Sequence, residues 1–414
     1  MRRACQVAGR GGVASRVTMK QHSSISYAVF GGALTAISYG LARFAFGLFV
    51  PPIRDDLSLA ADVVGVIGAL PLISFVLAAL VAPLAADRLG ARIAAMLSGS
   101  LGVGGLALIS RADDALLLGA GVFACGVCTG LMMPALTAGM QAMVDRSMHG
   151  RVSSVMNAGT SIGVMVAVPA ALLLAGDWRW AYKAFALLAA LGVFASAVML
   201  PAVSRITPAD AAPPPRVTTL QWWRLARLSL FAFVMGFVSA GYWVFAPDLV
   251  ISKDALSPTQ ASGLWLAVGL AGLGGAIAAD LADRNNPAIT QALMLMMLAA
   301  SLSLLAASPG QLALAMFSAM IFGLAYMSLT GLYLMTGIRL LPGRLSLGPV
   351  LPFVAVALGQ AAGSPVVGVL VQQLGYTDAF SAFAALEVVA ALCSPLFPSL
   401  IDYGPVAEAE DQTG

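Results

Sequence analysis

An all-α membrane protein is the fold class this chain predicts, and three observations carry the expectation. Of 414 residues, 60% are hydrophobic and 10% charged, with a mean hydropathy of +0.91, whereas a soluble domain carries about 25% charged residues. Apolar stretches of the roughly twenty residues needed to cross a bilayer recur about twelve times. A polar connection at 201–225 parts six of them from the other six, giving two membrane halves. The polar stripes that a soluble helical protein would need are mostly missing.

The first twenty residues, MRRACQVAGRGGVASRVTMK, carry five basic residues and no long apolar core. A cleaved signal peptide needs its apolar region directly after the basic one, so 1–25 reads as a cytosolic tail, or in part as sequence upstream of an alternative start at Met19. Transmembrane helices are expected at 26–50, 62–84, 91–110, 115–139, 152–174 and 180–200, forming a first half of 26–200. The linker at 201–225 contains ITPADAAPPPRVTTLQWWRL, a stiff proline run followed by two tryptophans suited to a membrane interface. The second half, 226–398, holds helices at 226–250, 259–279, 288–307, 311–334, 347–371 and 378–398. Residues 399–414 form a second cytosolic tail, and its acidic VAEAEDQ is a short solvated terminus.

Charge gives orientation. With the amino terminus inside, sixteen basic residues fall on the side of both termini and five, Arg54, Arg111, Arg179, Lys183 and Lys253, on the other. That positive-inside bias predicts cytosolic termini. The net charge of +3 follows from this topology and forms no basic stripe for nucleic acid.

One basic residue fits neither side. Arg43 lies inside the apolar stretch Ser26–Pro52, which holds no other charge. A guanidinium there is costly unless it meets a partner or water, so it marks a functional site. About seventeen residues into its helix, it sits roughly 25 Å along the axis, past the bilayer midpoint toward the outside. Tyr39, one turn earlier, can share its face. Together they would offer a guanidinium fork and a phenol to a carboxylate or similar oxyanion; a structural pair with another helix is the competing role.

The two halves repeat weakly. GLFVPPIRDDL in the first helix has a counterpart in YWVFAPDLVISKDAL of the seventh, and matching Pro51 to Pro247 sets Arg43 opposite Ser239. APLAADRLGAR after the second helix pairs with GAIAADLADRN after the eighth, and HGRVSSVMNAGTSIG with PGRLSLGPVLPFVAVALGQAAG. Internal repeats with a substrate route between them are a common transporter arrangement.

On these residues the chain resembles the major facilitator superfamily. Asp87, Arg88, Gly90 and Arg92 in AADRLGAR match its charged loop after the second helix, while Pro83 stands where the motif begins with Gly and Ala91 replaces a common basic residue. The second copy keeps Asp283 and Arg284 but continues into Asn285 and Asn286. The opening SYGLARFAFGLFVPPIRDDL also resembles the bacterial YbfB/YjiJ group. The resemblance implies twelve transmembrane helices in two pseudo-symmetric six-helix bundles, working by alternating access. It makes Asp87, Arg88, Gly90, Arg92, Asp283 and Arg284 gating residues; positive-inside anchoring is the plainer role for the same arginines.

Further candidates follow within that architecture. Tyr242, Trp243, Trp265, Tyr326, Tyr333 and Gln360 fall on helices that would wall the cavity, and Asn157 could face Arg43. Aromatic residues also serve membrane interfaces, but an amide deep in a helix must find a partner. Gly159 and Gly163, repeated by Gly359, Gly363 and Pro365, suit close packing or hinges. The antiporter signature is not matched, because Val164 follows Gly163 and the proline comes later, at Pro169. Glu387, mid-helix in AFSAFAALEVVAALCSPLF, could bind a proton, although a twelfth helix would support the outside of its bundle.

No enzyme is expected. His22 and His149 are isolated, Cys125 and Cys128 read as small packing residues, Cys5 and Cys393 add no disulfide framework, and GxxxxGK[ST] is absent. No cofactor or metal is called for. The expectation is a monomeric, proton-coupled carrier for the uptake of a small organic anion across a bacterial inner membrane, its partners being the anion, the proton and membrane lipids, with no nucleic acid. A drug or metabolite exporter and a non-transporting membrane sensor are the alternatives.

Overall fold

The computed structural model describes residues 24–174, 177–201, 217–252, 256–275, 287–341 and 350–394. These are helical: α1 Ser24–Leu57, α2 Ala61–Ala82, α3 Arg88–Ile109, α4 Ala115–Met143, α5 His149–Leu173, α6 Trp178–Met199, α7 Thr219–Ser252, α8 Pro258–Leu273, α9 Pro287–Ala307, α10 Leu312–Leu340, α11 Val350–Leu374 and α12 Tyr376–Cys393. Among the described residues, eleven are long and apolar enough to cross a membrane; the described part of α8, at 16 residues, is shorter. The chain is an all-α, multi-pass membrane protein in contact with lipid, and its surface shows why: Leu173, Phe194, Val198, Leu220 and Leu392 are all more than half exposed.

Several helices run past their expected ends. α1 continues through Pro51 and Pro52 to Leu57, so Arg54, Asp55 and Asp56 are helical and not part of a loop. α7 begins at Thr219, inside the expected linker. Hydropathy places the apolar segment, but a helix ends where its backbone finds a cap. α1 closes on Ser58 in the left-handed region, φ 50°. Asp114 accepts from the Leu117 amide to start α4, Asp177 accepts from Arg179 to start α6, and Ser257 with Gln260 forms a capping box at α8.

Small residues set the packing. Gly159 and Gly163 of α5 lie against the backbone of Gly32, Ala36 and Gly40 in α1, and Gly359 and Gly363 of α11 lie against Phe233 and Phe237 in α7. A Cβ at any of the four would strike a neighbouring carbonyl, so the glycines make direct backbone contact possible. α5 thus meets α1 as α11 meets α7. The matching pair of contacts joins the halves: α11 packs on α2, where Ser364 donates to the Gly65 carbonyl at 2.7 Å and Gly368 lies against Ala61, and α5 packs on α8, where Gly269 meets Ser161 and Met165. Pro365 approaches Gly65 in the first of these seams.

Cys125 and Cys128 are buried packing residues against Gly105 and Gly102. Gly90, at φ 77° and ψ 164°, breaks the otherwise continuous helical trace from α2 to α3; only glycine adopts that conformation cheaply.

Candidate functional site

Arg43 stands where the two halves meet. α1 is π-helical from Ala36 to Phe44, and this segment ends as the Ala45 amide bonds back to the Gly40 carbonyl at 2.9 Å. Leu48 then donates to Ala45, and the Phe44 carbonyl takes the Trp265 indole N–H at 3.0 Å. A π segment widens the turn and re-aims side chains, a device common at functional sites. Here it is stabilised from the opposite half, by a residue of α8.

Arg43 as a whole is 8% exposed. Nη2 donates to Gln360 Oε1 at 2.9 Å, and the guanidinium carbon lies 4.9 Å from the centroid of Phe44 and 5.0 Å from that of Phe75. Such cation–π contacts are worth about 0.5–2 kcal/mol each, less than the cost of burying a charge. Nε has no hydrogen-bond partner, and among the described residues no carboxylate pairs with Arg43. The cation is held by an amide and two rings, with donors to spare.

Gln360 is the hub. Its carbonyl accepts from Arg43, while Nε2 donates to Tyr326 Oη at 3.1 Å and Ser239 Oγ at 3.2 Å. α1, α7, α10 and α11 therefore converge on one amide. Ser239, the position matched to Arg43 by the repeat, is two hydrogen bonds away from it. A cavity opens beside this group, lined by Arg43, Phe44 and Gly47 of α1, Gly68 and Leu72 of α2, Trp243 and Val244 of α7, and Gln360. Two rings of its lining, Trp243 and Phe44, lie 4.4 Å apart, and Trp243 lies 5.3 Å from Tyr326, ring centre to ring centre. At Gly47 a Cβ would overlap the Trp243 carbonyl, which fixes glycine where α1 and α7 cross.

Not every expected residue joins the site. Tyr39 does so indirectly, its ring edge-on to Phe75 beneath the guanidinium. Trp265 acts on the α1 backbone. Tyr242 is displaced from the expected wall: it stacks on Phe322 at 3.9 Å, bonds Ser318 at 3.1 Å and is wholly buried among α7, α9 and α10. Asn157 does not face Arg43. It is exposed, on the part of α5 that packs beside Gly31 and Gly32, about 16 Å along the helix axis from the guanidinium's level. Tyr333 and Glu387 are buried away from this network and, among the described residues, without hydrogen-bond partners.

Among the expected gating residues, Arg92 donates from Nε to the Leu200 carbonyl at 2.6 Å, tying the start of α3 to the end of α6, while Arg88 is exposed. The Asp87 side chain, Asp283 and Arg284 lie outside what the structure describes.

Sequence reasoning missed a second group, at the end of the molecule where α1 gives way to α2. Arg54 forms an ion pair with Asp248 of α7, and Tyr376 at the start of α12 bonds both, at 2.7 Å to Arg54. Nearby, Arg179 pairs with Asp56 and donates to the Ala112 carbonyl at 2.7 Å. The first group crosses between the halves; the second ties the first half together. Arg54, Asp56, Arg179 and Tyr376 fall outside the expected helices, while Asp248 falls inside the expected 226–250. The usable signal was that Arg54 and Asp248 each follow a matched proline, Pro51 or Pro247, within three residues.

The model of the family described as Major Facilitator Superfamily matches residues 32–346. No curated protein sequence matches the chain. Solved structures share its fold: a POT family transporter in complex with 5-aminolevulinic acid, 12% identical, covering 91% of this chain and 96% of that one, TM-score 0.74; a bacterial homologue of the human lysosomal transporter Spinster, inward-facing and unoccupied, 14% identical, covering 92% and 98%, TM-score 0.72; and the human organic anion transporter MFSD10, 16% identical, covering 90% and 99%, TM-score 0.65.

Proposed function

We propose, from the premise that this chain belongs to the Major Facilitator Superfamily, that it carries a small organic anion across a bacterial inner membrane in proton-coupled uptake. As a member of that superfamily it is a transport protein and not an enzyme, a secondary transporter working by alternating access. The observation that carries the anion is Arg43: a buried cation between the halves, with its Nε unpartnered and no carboxylate pairing with it among the described residues. A site that holds a charge without a counter-ion favours a ligand bringing one. The flat rings of Phe44, Trp243 and Tyr326 suit an apolar body on that ligand. The human organic anion transporter with the same fold agrees with this reading.

The proposal takes the chain as a monomer of two six-helix bundles, 26–200 and 226–398, with twelve helices and cytosolic termini. Within this proposal, the resemblance of its opening sequence SYGLARFAFGLFVPPIRDDL supports membership of the YbfB/YjiJ group. In that orientation the Arg54, Asp248 and Tyr376 group closes the outer face and must part for the anion to enter.

The test is flux into vesicles holding the purified full-length protein, with benzenesulfonate as a permanently charged probe and benzenesulfonamide as its neutral counterpart. Benzenesulfonate is expected to accumulate under an inward proton gradient and Arg43→Gln to abolish this while remaining folded. Wild-type flux in Arg43→Gln, or equal uptake of the sulfonamide, would overturn the anion role.

A further inference from the structure

The second half contains a deep acid that the anion site does not use. Glu387, eleven residues into α12, has no exposed surface, and neither carboxylate oxygen has a hydrogen-bond partner among the described residues. An ionised carboxylate so placed would bear the full cost of desolvation with no compensating donor. A carboxyl group that keeps its proton avoids that cost.

Among the described residues no cation pairs with Glu387. α9 and α11, which pack on α12, contain no acidic, basic or histidine residue in their described spans. α7 also packs on α12, and its charges are Arg224 and Arg227 toward its start and Asp248 in the Arg54 latch near its end. α12 itself adds Asp378, nine residues before Glu387. α10 brings Arg339 in its last turn and Tyr333, wholly buried, its hydroxyl also unpartnered, and within electrostatic range of Glu387. Two orphaned oxygen groups in one apolar interior are a rare expense.

Tyr333 also links this spot to the anion site. It lies seven residues after Tyr326 on α10, so the two share a face about 10 Å apart along the axis. Tyr326 bonds Gln360, and Gln360 bonds Arg43. A movement of α10 or α12 that changes Tyr333 reaches the guanidinium through one helix face.

We propose that Glu387 is the proton-binding site of this protein, set apart from the Arg43 site and coupled to it through Tyr333 and α10. In the described conformation the carboxyl holds its proton. When α12 parts from the helices packed on it, the O–H bond breaks, the proton passes to water, and the carboxylate that remains must take another proton before the helices close again. This deepens the proton-coupled reading, but its decisive measurement needs no transported substrate.

Infrared spectra of the reconstituted full-length protein test it. The C=O stretch of a protonated carboxyl should be present at neutral pH, absent in Glu387→Gln, shifted in D₂O, and lost as pH rises while circular dichroism still reports folded protein. Tyr333→Phe, which keeps the packing, should retain the band at an altered frequency and serves if Glu387→Gln does not fold. A spectrum unchanged by Glu387→Gln, or by Tyr333→Phe where that is the variant available, overturns the site. So does a band that neither exchanges in D₂O nor responds to pH, which would make Glu387 a sealed neutral packing group. Failure of benzenesulfonate flux alone would count against the anion reading and leave this result standing.

Discussion

α1 and α7 are matched by the repeat, yet they bring opposite things to the place where they cross. Aligning Pro51 with Pro247 sets Arg43 against Ser239 and Gly47 against Trp243. α1 thus contributes a charge and a gap, and α7 a small hydroxyl and the largest side chain. The backbone differs too: α1 is π-helical through Arg43, whereas Ser239 lies in regular helix and bonds its own Gly236 carbonyl at 2.9 Å. The packing around them stays symmetric, with α5 on α1 and α11 on α7 through paired glycines. The two helices share a packing frame, and their departures from it make the candidate site.

That contrast can be broken from either side. The largest effect is expected from Arg43→Met, which should cut benzenesulfonate affinity at least about a hundredfold, near 3 kcal/mol. The same variant should stabilise the ligand-free protein by about 1 kcal/mol, because it removes an unpaired buried charge. Thermal unfolding in detergent with and without ligand checks both signs, and a loss of ligand-free stability would mean that Arg43 is a structural tie. Gly47→Ala fills the gap on the α1 side and should cost about 1–3 kcal/mol by forcing α1 off the Trp243 carbonyl, again measured by unfolding. Gln360→Glu places the missing counter-ion beside Arg43. It should weaken benzenesulfonate binding about tenfold, by satisfying the cation internally, as isothermal titration would show. Ser239→Ala is the mildest: Gln360 keeps Tyr326 and Arg43, so the expected cost is about 0.5–1 kcal/mol with binding retained.

Much of this was legible beforehand because bilayer physics writes in long strokes. Apolar runs located the helices, an isolated charge located Arg43, and a buried amide located Gln360. The gaps have physical causes as well. Hydropathy ends a helix at its first charges, so Arg54 and Asp56 fall outside the expected 26–50 helix although α1 carries them, while Asp248, inside the expected 226–250 helix, gives no sign of its partner. The π segment leaves no sign in composition, since it depends on Trp265 capping a carbonyl more than two hundred residues away in sequence. Tyr242 and Asn157 were placed by helix membership alone, and membership does not say which way a side chain turns. One faced the interior of its own half and the other the surface.

The bond from Trp265 to the Phe44 carbonyl also makes the molecule its own optical instrument. Only six tryptophans occur in the chain, and two of them, Trp243 and Trp265, lie within van der Waals reach of one stretch of α1. An indole emits at a wavelength set by the polarity around it. Any motion that draws Phe44 from Trp265, or lets water to Trp243, therefore changes the colour of the protein's own light, and the working cycle can be watched without attaching a label.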